Sequence, residues 1–308
     1  MPHDRPRALK IKPGSFASVI RDYMKSDAFM RLTRATRENY SRELELAERP
    51  EILGEYPAAE MRPALVQGFL DGLSHSPGKQ KIAKTAISAL QKWALIRDRL
   101  LFPITTGTEV VGSDGGHVPW SDDQVALGEQ HASPILSRLI TLAANTGQRG
   151  SDLVKMRWSD IEEHGGRIGI NVHQKKTGLR IWIPFTTEFQ GAVMGWDRQP
   201  TFLVLNTDGT QLTRPEVSNR WMRERAHNPS LAPLAEAGLV MHGLRGTAVV
   251  RLRRGGASVP QICDMVGMSE QMVARYCRFS NQRDNALAAV HYLDRTALER
   301  MSKSLKSK

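Results

Sequence analysis

Apolar residues recur every three or four positions along most of the chain, which predicts a mainly helical protein. The first such region, residues 15–101, contains four helical segments: "SFASVIRDYMKSDAF", "TRENYSRELELAERPEIL" with Thr36 as its N-cap, "PALVQGFLDGL" and "GKQKIAKTAISALQKWALIRDRLL". One face of the last segment carries Lys79, Lys81, Lys84 and Lys92. That face is either a solvated surface or one that lies against phosphates. We predict an all-helical domain at 15–101, preceded by a flexible lead at 1–14.

A change of pattern follows this domain. Residues 102–119 are rich in Gly, Thr, Ser and Pro without a helical period, which is typical of a linker. A second domain, 120–300, starts with helical segments that include "SDLVKMRWSDI", with Ser151 as N-cap. "GRIGINV" and "LRIWIPF" predict two strands joined by "HQKKTG", and "TFLVLN" is a candidate third strand. Helical segments then continue to a basic tail at 301–308, so this domain is predicted to be mixed α/β, mainly helical, with a small antiparallel sheet.

The charge balance points to a polyanionic partner. The chain has 43 Lys and Arg against 32 Asp and Glu, a net charge of +11, with a pI near 9.9. Such an excess favours binding to nucleic acid, although a merely basic soluble protein is the alternative. Arginine-rich stretches such as "RLTRATRENYSR" and "VVRLRRGG" favour nucleic acid, because the guanidinium fork matches phosphate geometry.

Cysteine usage and apolar run lengths predict an intracellular protein. Cys263 and Cys277 are too few for a disulfide framework or a zinc cluster, which fits a reducing cytoplasm. No apolar run approaches the length of a membrane span, and the N-terminus lacks the apolar part of a signal peptide. We also find no paired-carboxylate cluster that would hold two Mg²⁺ ions, so neither a metal nor a cofactor is predicted.

Two motifs in the second domain carry candidate cations. In "NTGQRGSDL", Arg149 is placed at a helix N-terminus, where an anion can bind, and Asp152 can hold its guanidinium in register. The alternative is a structural arginine–aspartate pair. In "QKKTG", Lys176 or Lys175 lies in a turn and is either solvated or a proton donor that reaches into a groove.

Two further motifs complete the candidate chemistry. In "HGLR", His242 and Arg245 are three residues apart and share a helix face, which suits a phosphate; a surface pair is the alternative. In "VARYCRF", Tyr276 is either a packed aromatic residue or a nucleophile. A phenol acts as a nucleophile when a neighbour accepts its proton and cations hold its target.

In order and spacing, these residues resemble the tyrosine recombinase, or phage integrase, family. "TGQRGSDLVKMRWSDI" resembles the family's first arginine motif, "QKKTGLRIWIPF" its catalytic-lysine hairpin, and "HGLR" its His-x-x-Arg box. Tyr276 follows Arg245 by 31 residues, and this spacing matches that of the family's nucleophile to within about a residue. Residues 15–101 resemble the core-binding domain of such enzymes, so the resemblance spans about residues 15–290.

The resemblance implies an enzyme that cuts and rejoins double-stranded DNA through a 3′-phosphotyrosine. It implies catalytic roles for Arg149, Lys176, His242, Arg245 and Tyr276, with Asp152 and Lys175 in support. It further implies a tetramer on paired sites, possible DNA-bending or directionality factors, and no cofactor, metal or membrane. A cytoplasmic, nucleoid-associated protein encoded by a bacterium or a phage is expected.

One position departs from the family pattern. Met268 stands where the family usually has His or Trp before the tyrosine helix, and a thioether cannot donate a hydrogen bond to phosphate. We predict retained or lowered activity, and a catalytically weakened DNA-binding relative is the alternative that Met268 leaves open. A type IB topoisomerase-like enzyme and a basic helical scaffold are further alternatives to a recombinase. Tyr292 is a rival nucleophile. We expect Tyr292 to be a packing residue within a C-terminal helix, and we expect that helix to dock onto a neighbouring protomer.

Overall fold

The computed structural model describes residues 11–112, 116–198 and 200–279, together with Ala286 and Val290. The chain divides into two compact units, Met1–Gly116 and His117–Lys308. Each unit has its own apolar core. Tyr292, most of the predicted C-terminal helix, the basic tail at 301–308 and residues 1–10 of the predicted lead lie outside the described residues.

Side-chain caps set the starts of the first three helices of the first unit. Ser26 interrupts the first predicted helix, because its side chain accepts the Phe29 N–H and begins a new one. Thr33, and not the predicted Thr36, is the N-cap of the next helix, since Thr33 Oγ1 accepts the Thr36 N–H. The described elements are α1 (Phe16–Lys25), α2 (Asp27–Met30), α3 (Arg34–Ala47), a π-helical turn (Pro50–Gly54), a 3₁₀ turn (Ala58–Glu60), α4 (Pro63–Gly72) and α5 (Pro77–Leu95).

Much of the segment predicted as linker is part of the first unit. Ile104 is fully buried in that unit's core. The side-chain oxygen of Gln91 accepts the N–H groups of Ile104 at 2.6 Å and of Thr105 at 2.7 Å, and Gln80 accepts that of Val111 at 2.7 Å. Glutamines of α5 thus satisfy a stretch of backbone whose Gly, Thr and Ser content suggested only a connection. The division between units falls after Gly116, within the predicted 102–119.

The predicted lysine face of α5 is present in part. Lys79, Lys81 and Lys92 are exposed. Lys84 is half-buried and donates a hydrogen bond to the carbonyl of Thr108. Three of the four ammonium groups are therefore available to an anionic partner, while Lys84 helps to hold the segment after α5.

The second unit combines helices with a small sheet. Its described elements are α6 (Asp122–His131), α7 (Pro134–Thr146), α8 (Gly150–Leu153), a 3₁₀ turn (Trp158–Asp160), β1 (Ile161–His164), β2 (Arg167–His173), β3 (Arg180–Pro184), α9 (Thr187–Met194), α10 (Arg214–His227), a 3₁₀ turn (Pro229–Leu231), α11 (Ala232–Glu236), a 3₁₀ turn (Met241–Gly243), α12 (Leu244–Arg254), α13 (Val259–Val266) and α14 (Glu270–Cys277). The predicted fold class is confirmed.

The three strands form one antiparallel sheet in the order β1-β2-β3. Ile161 pairs with Ile170, and His173 pairs with Arg180 across the hairpin. The candidate third strand at 201–206 was wrong. Leu203 and Val204 of that run are buried, but it forms only isolated bridges, such as Arg157 with Phe202, and the third strand is instead the polar β1.

Two apolar clusters organise the second unit. The larger one combines residues of α6, α7, α10 and the sheet, with Trp120 and Trp221 as its largest rings. The smaller one joins α12, α13 and α14 and contains Val249, Met268 and Tyr276. The loop between α7 and α8, the β2–β3 hairpin, the 3₁₀ turn before α12, α12 itself and α14 supply the side chains described next.

Candidate active site

The loop between α7 and α8 positions Arg149. Gly147 ends α7 with a φ of +65°, a left-handed conformation that favours glycine. A Cβ at this position would also lie 3.0 Å from Val266 Cγ1. Arg149 then directly precedes α8, half-buried, whereas the predicted N-cap Ser151 lies inside that helix.

Asp152 does not hold the Arg149 guanidinium as predicted. Its Oδ1 accepts the backbone N–H of Lys175 at 3.1 Å, and its buried Oδ2 has no hydrogen-bond partner among the described residues. Arg149 Nη1 instead donates to Gln174 Oε1 at 3.0 Å. The carboxylate thus anchors the lysine hairpin, and an amide anchors the arginine.

Arg245 lies in the first turn of α12 with only 3% of its surface exposed. Its Nη1 donates to the carbonyl of Gly147, which ties α12 to the Arg149 loop. Burial, together with the charge of Arg149, lowers the pKa of Arg245 to about 10, while Tyr276 and Asp152 act in the opposite direction. The guanidinium therefore stays protonated at neutral pH.

His242 occupies the 3₁₀ turn before α12. Its ring contacts the ring of His117 edge-on, with centroids 4.9 Å apart. Burial lowers the pKa of His242 to about 4, and the charges of His117, Arg245, Arg214 and Arg149 add to the effect. The imidazole is therefore neutral at neutral pH and can accept a proton.

Tyr276 packs into the smaller apolar cluster with 5% of its surface exposed. Its ring lies against the backbone of Gly246, since a Cβ there would lie 2.7 Å from Tyr276 Cδ1 and 2.8 Å from Cε1. Gly246 directly follows Arg245, so the aromatic ring lies beside the arginine's own turn of helix. Met268, 8% exposed, belongs to the same cluster.

The two predicted lysines lie on the β2–β3 hairpin and are exposed. Lys175 lines an open groove of about 710 Å³ with Lys155, Arg157 and Arg180. In the described part of the chain, no hydrogen bond or ion pair joins the Lys176 side chain to the residues above. The structure thus gathers Arg149, Asp152, His242, Arg245 and Tyr276 and leaves Lys176 on the adjoining turn.

Four residues near this cluster escaped the sequence analysis. Gln174 and Gln148 form a buried amide pair, Nε2 to Oε1 at 2.8 Å. His117 contacts His242, and the Arg214 stem lies 3.5 Å from where a Cβ of Gly150 would be. Of these four residues, only Gln174 could have been found from the sequence. It follows Ile170 and Val172 at every second position, which predicts that its side chain points inward like theirs.

The described residues offer neither a metal site nor a membrane span. No group of three or more His, Cys, Asp or Glu side chains there is arranged to hold a metal ion. None of the helices described is both long and apolar enough to cross a membrane.

A mainly helical unit with a three-stranded sheet, bringing two arginines, a histidine and a tyrosine together, has the fold of a tyrosine recombinase catalytic domain. The model of the phage integrase family matches residues 127–283, just over half of the chain, and the chain belongs to this family. The predicted family is confirmed.

Individual relatives are more distant. The integrase of Escherichia phage HK022 is 44% identical over 54 residues, which cover 17% of this chain and 14% of that protein. A lambda integrase dimer bound to a COC′ core site superposes with a TM-score of 0.68 at 21% identity, covering 85% of this chain and 77% of that one. The Tn1549 transposon integrase in complex with circular intermediate DNA gives 0.65 at 14% identity, covering 90% and 99%. Because both identities are below 25%, these two comparisons show a similar fold.

Proposed function

We propose that this protein is a site-specific DNA recombinase that cuts and rejoins DNA through a 3′-phosphotyrosine. The main support is the packing of the Tyr276 ring on Gly246, the residue that follows Arg245. The charges of Arg149 and Arg245 also both act on His242. Phosphoryl transfer depends mostly on positioning and on neutralising charge. This cluster supplies cations, a neutral base and a nucleophile.

In the first step, Arg149 and Arg245 hold the two non-bridging oxygens of the scissile phosphate. The Tyr276 hydroxyl oxygen attacks phosphorus and the bond to the 5′-oxygen breaks, so the phosphate remains attached to the tyrosine. Lys176 gives a proton to the leaving 5′-oxygen. A 5′-hydroxyl of another strand then attacks the phosphotyrosine and releases Tyr276, with no net change in the number of phosphodiester bonds.

His242 accepts the tyrosine proton in this scheme. With its pKa lowered to about 4 it is a weak base, but the causes of that shift include neighbouring positive charges. Burial is the largest cause and persists, but a bound phosphate anion offsets those charges and so raises the pKa of the imidazole above its value in the free protein. The base is therefore strengthened when substrate is present.

The partner is double-stranded DNA, and the working assembly is a tetramer on paired sites. The net charge of +11 and the exposed lysines of α5 favour phosphate contacts. Lambda integrase, one of the proteins with a similar fold, is found as a tetramer bound to a Holliday junction. Lys176 lies on an exposed turn of the hairpin, and we propose that DNA binding brings it to the leaving group.

A covalent-capture assay tests the proposal. Wild type and Tyr276→Phe are mixed with labelled DNA from the flanks of the gene, stopped with SDS and examined for label that migrates with protein. We expect an adduct with wild type only. An adduct that persists in Tyr276→Phe would indicate that Tyr292 is the nucleophile. Relaxation of supercoiled DNA without recombination of paired sites would favour a type IB topoisomerase-like activity.

Met268 supports a second candidate, a DNA-binding relative with weakened catalysis. Its thioether packs in the cluster that holds Tyr276 and cannot donate a hydrogen bond to a phosphate oxygen. Tight, sequence-specific binding without an adduct from wild type would favour this candidate over the recombinase.

A further inference from the structure

Gln174 has an unusually complete set of contacts for a side chain in a turn. It is fully buried. Its Oε1 accepts from Arg149 Nη1 at 3.0 Å and from Thr177 Oγ1 at 2.9 Å, while its Nε2 donates to Gln148 Oε1 at 2.8 Å and to the Val266 carbonyl at 3.0 Å. All the hydrogen-bonding capacity of a primary amide, two acceptor and two donor positions, is used.

The acceptor of the Arg149 hydrogen bond, Gln174 Oε1, belongs to a neutral amide and not to a carboxylate. A carboxylate in the same place would form an ion pair with the guanidinium and compete with an incoming phosphate. A neutral amide fixes the guanidinium through one N–H and leaves its full positive charge available. The nearby carboxylate, Asp152, is bonded instead to the Lys175 backbone.

Gln174 also closes the turn that carries Lys176. Its backbone carbonyl accepts the Gly178 N–H at 2.9 Å and its own N–H donates to the Leu179 carbonyl at 2.8 Å. The hydroxyl of Thr177, directly after Lys176, donates to the Gln174 side chain. The turn and the Arg149 guanidinium thus share one anchoring residue.

A third segment meets the same side chain. Val266 ends α13, and its carbonyl accepts from the side-chain nitrogens of both Gln174 and Gln148. Gly267 follows with a φ of +62°, and a Cβ there would collide with the Gln174 amide. Met268 comes next in the chain, so the Gln174 amide also fixes the approach to the tyrosine-bearing helix.

We propose that Gln174 is a positioning residue for the reaction, because its amide orients Arg149 toward the phosphate and holds the Lys176 turn in register with it. The inference rests on the proposed function and deepens it. Gln174 touches no reacting atom and acts through Arg149 and Lys176. Its removal leaves DNA binding largely intact and slows the chemical step.

The test compares Gln174→Met with Gln148→Met. Each change deletes one of two amides in the same buried pair, but only the first removes the Arg149 acceptor. The rate of adduct formation in a single turnover at saturating DNA is measured together with DNA affinity. We expect about a 100-fold slower rate for Gln174→Met, the scale of an ångström-sized misplacement, and less than about a fivefold effect for Gln148→Met. Equal losses of rate would mean that the amide pair acts only through stability.

A second arm is independent of catalysis. Urea unfolding is followed for Gln174→Met in the wild-type and Arg149→Ala backgrounds. If the amide holds the guanidinium, losing it leaves Arg149 without its acceptor, so the midpoint falls further in wild type than in the Arg149→Ala background. Equal falls in the two backgrounds would overturn the positioning role. A wild type that forms no adduct, with this coupling present, would count against the proposed function and not against the role of Gln174.

Discussion

Replacing Gly246 by alanine perturbs the proposed nucleophile with a single methyl group. Gly246 is buried in α12, and a Cβ there would lie 2.7 Å from Tyr276 Cδ1, 2.8 Å from Cε1 and 2.9 Å from Pro119 Cγ. Carbon atoms in contact are normally about 3.5–4.0 Å apart, so the ring must move by roughly 1 Å. Its displacement carries the phenol away from Arg245.

The effect on stability is a difference between two opposing terms. Alanine is favoured over glycine inside a helix by about 1 kcal/mol. Overpacking a buried site costs about 1–3 kcal/mol. We therefore expect Gly246→Ala to lower the free energy of unfolding by roughly 0–2 kcal/mol. This loss is too small to unfold a domain with about 5–15 kcal/mol of stability.

The effect on the reaction is larger, because an ångström-sized misplacement costs about 100-fold in rate. Adduct formation is measured in a single turnover at saturating DNA, beside urea unfolding. Gly191→Ala is the matched control: it lies inside α9, exposed, with no atom within 4 Å of its added Cβ. It should stabilise the protein by about 0.4–1 kcal/mol and leave the rate unchanged. A wild-type rate in Gly246→Ala would refute the idea that the ring must stay on Gly246 to react.

Three further predictions concern the surroundings of the two arginines. Gly267→Ala should destabilise the protein by about 1–3 kcal/mol more than Gly209→Ala in urea unfolding, because both glycines have positive φ but only the first methyl group meets Gln174. Because the pKa of His242 is lowered, the unfolded chain binds a proton between about pH 6.5 and 4 that the folded protein does not bind. The free energy of unfolding should therefore fall as the pH is lowered from about 6.5 to 4, and it should fall less steeply in His242→Gln. Arg214→Ala should raise the pKa of His242, followed by NMR titration, and should weaken DNA binding; an unchanged pKa would contradict the proximity of the two side chains.

The fold was predictable where local signals agree with tertiary packing. The helix α10 has a capping box at Thr213 and proline at its second position, and these local signals mark where it begins. The third strand was not predictable in this way. An apolar run at 201–206 has the composition of a strand but is buried without a partner strand, since Leu203 and Val204 pack into the larger cluster. The actual strand β1 has the polar sequence "IEEH" and depends on pairing with β2.

The candidate site was predictable as a set of residue types but not as a set of contacts. Arg149, His242, Arg245 and Tyr276 were each picked out, and the structure brings them together. The predicted role of Asp152 was wrong. Its position three residues after Arg149 suggests an ion pair, but the sequence does not show that its carboxylate accepts the Lys175 backbone N–H instead. Gln174 was overlooked since glutamine is common on surfaces, and its inward register along β2 becomes informative only when the end of the strand is known.

Both arginines of the candidate site donate hydrogen bonds to neutral oxygens. Arg245 donates to the backbone carbonyl of Gly147 and Arg149 donates to an amide oxygen, and among the described residues no carboxylate forms an ion pair with either. Burial lowers the pKa of Arg245, and its repulsion by Arg149 adds to the effect. Both arginine charges also add to the effect of burial on the pKa of His242. Pairing each arginine with a carboxylate would relieve that repulsion but would present phosphate with neutralised partners. The arrangement therefore leaves two repelling guanidinium groups in the folded protein. Under the proposed function, a phosphate bound between them offsets that repulsion at the step where tight binding is needed.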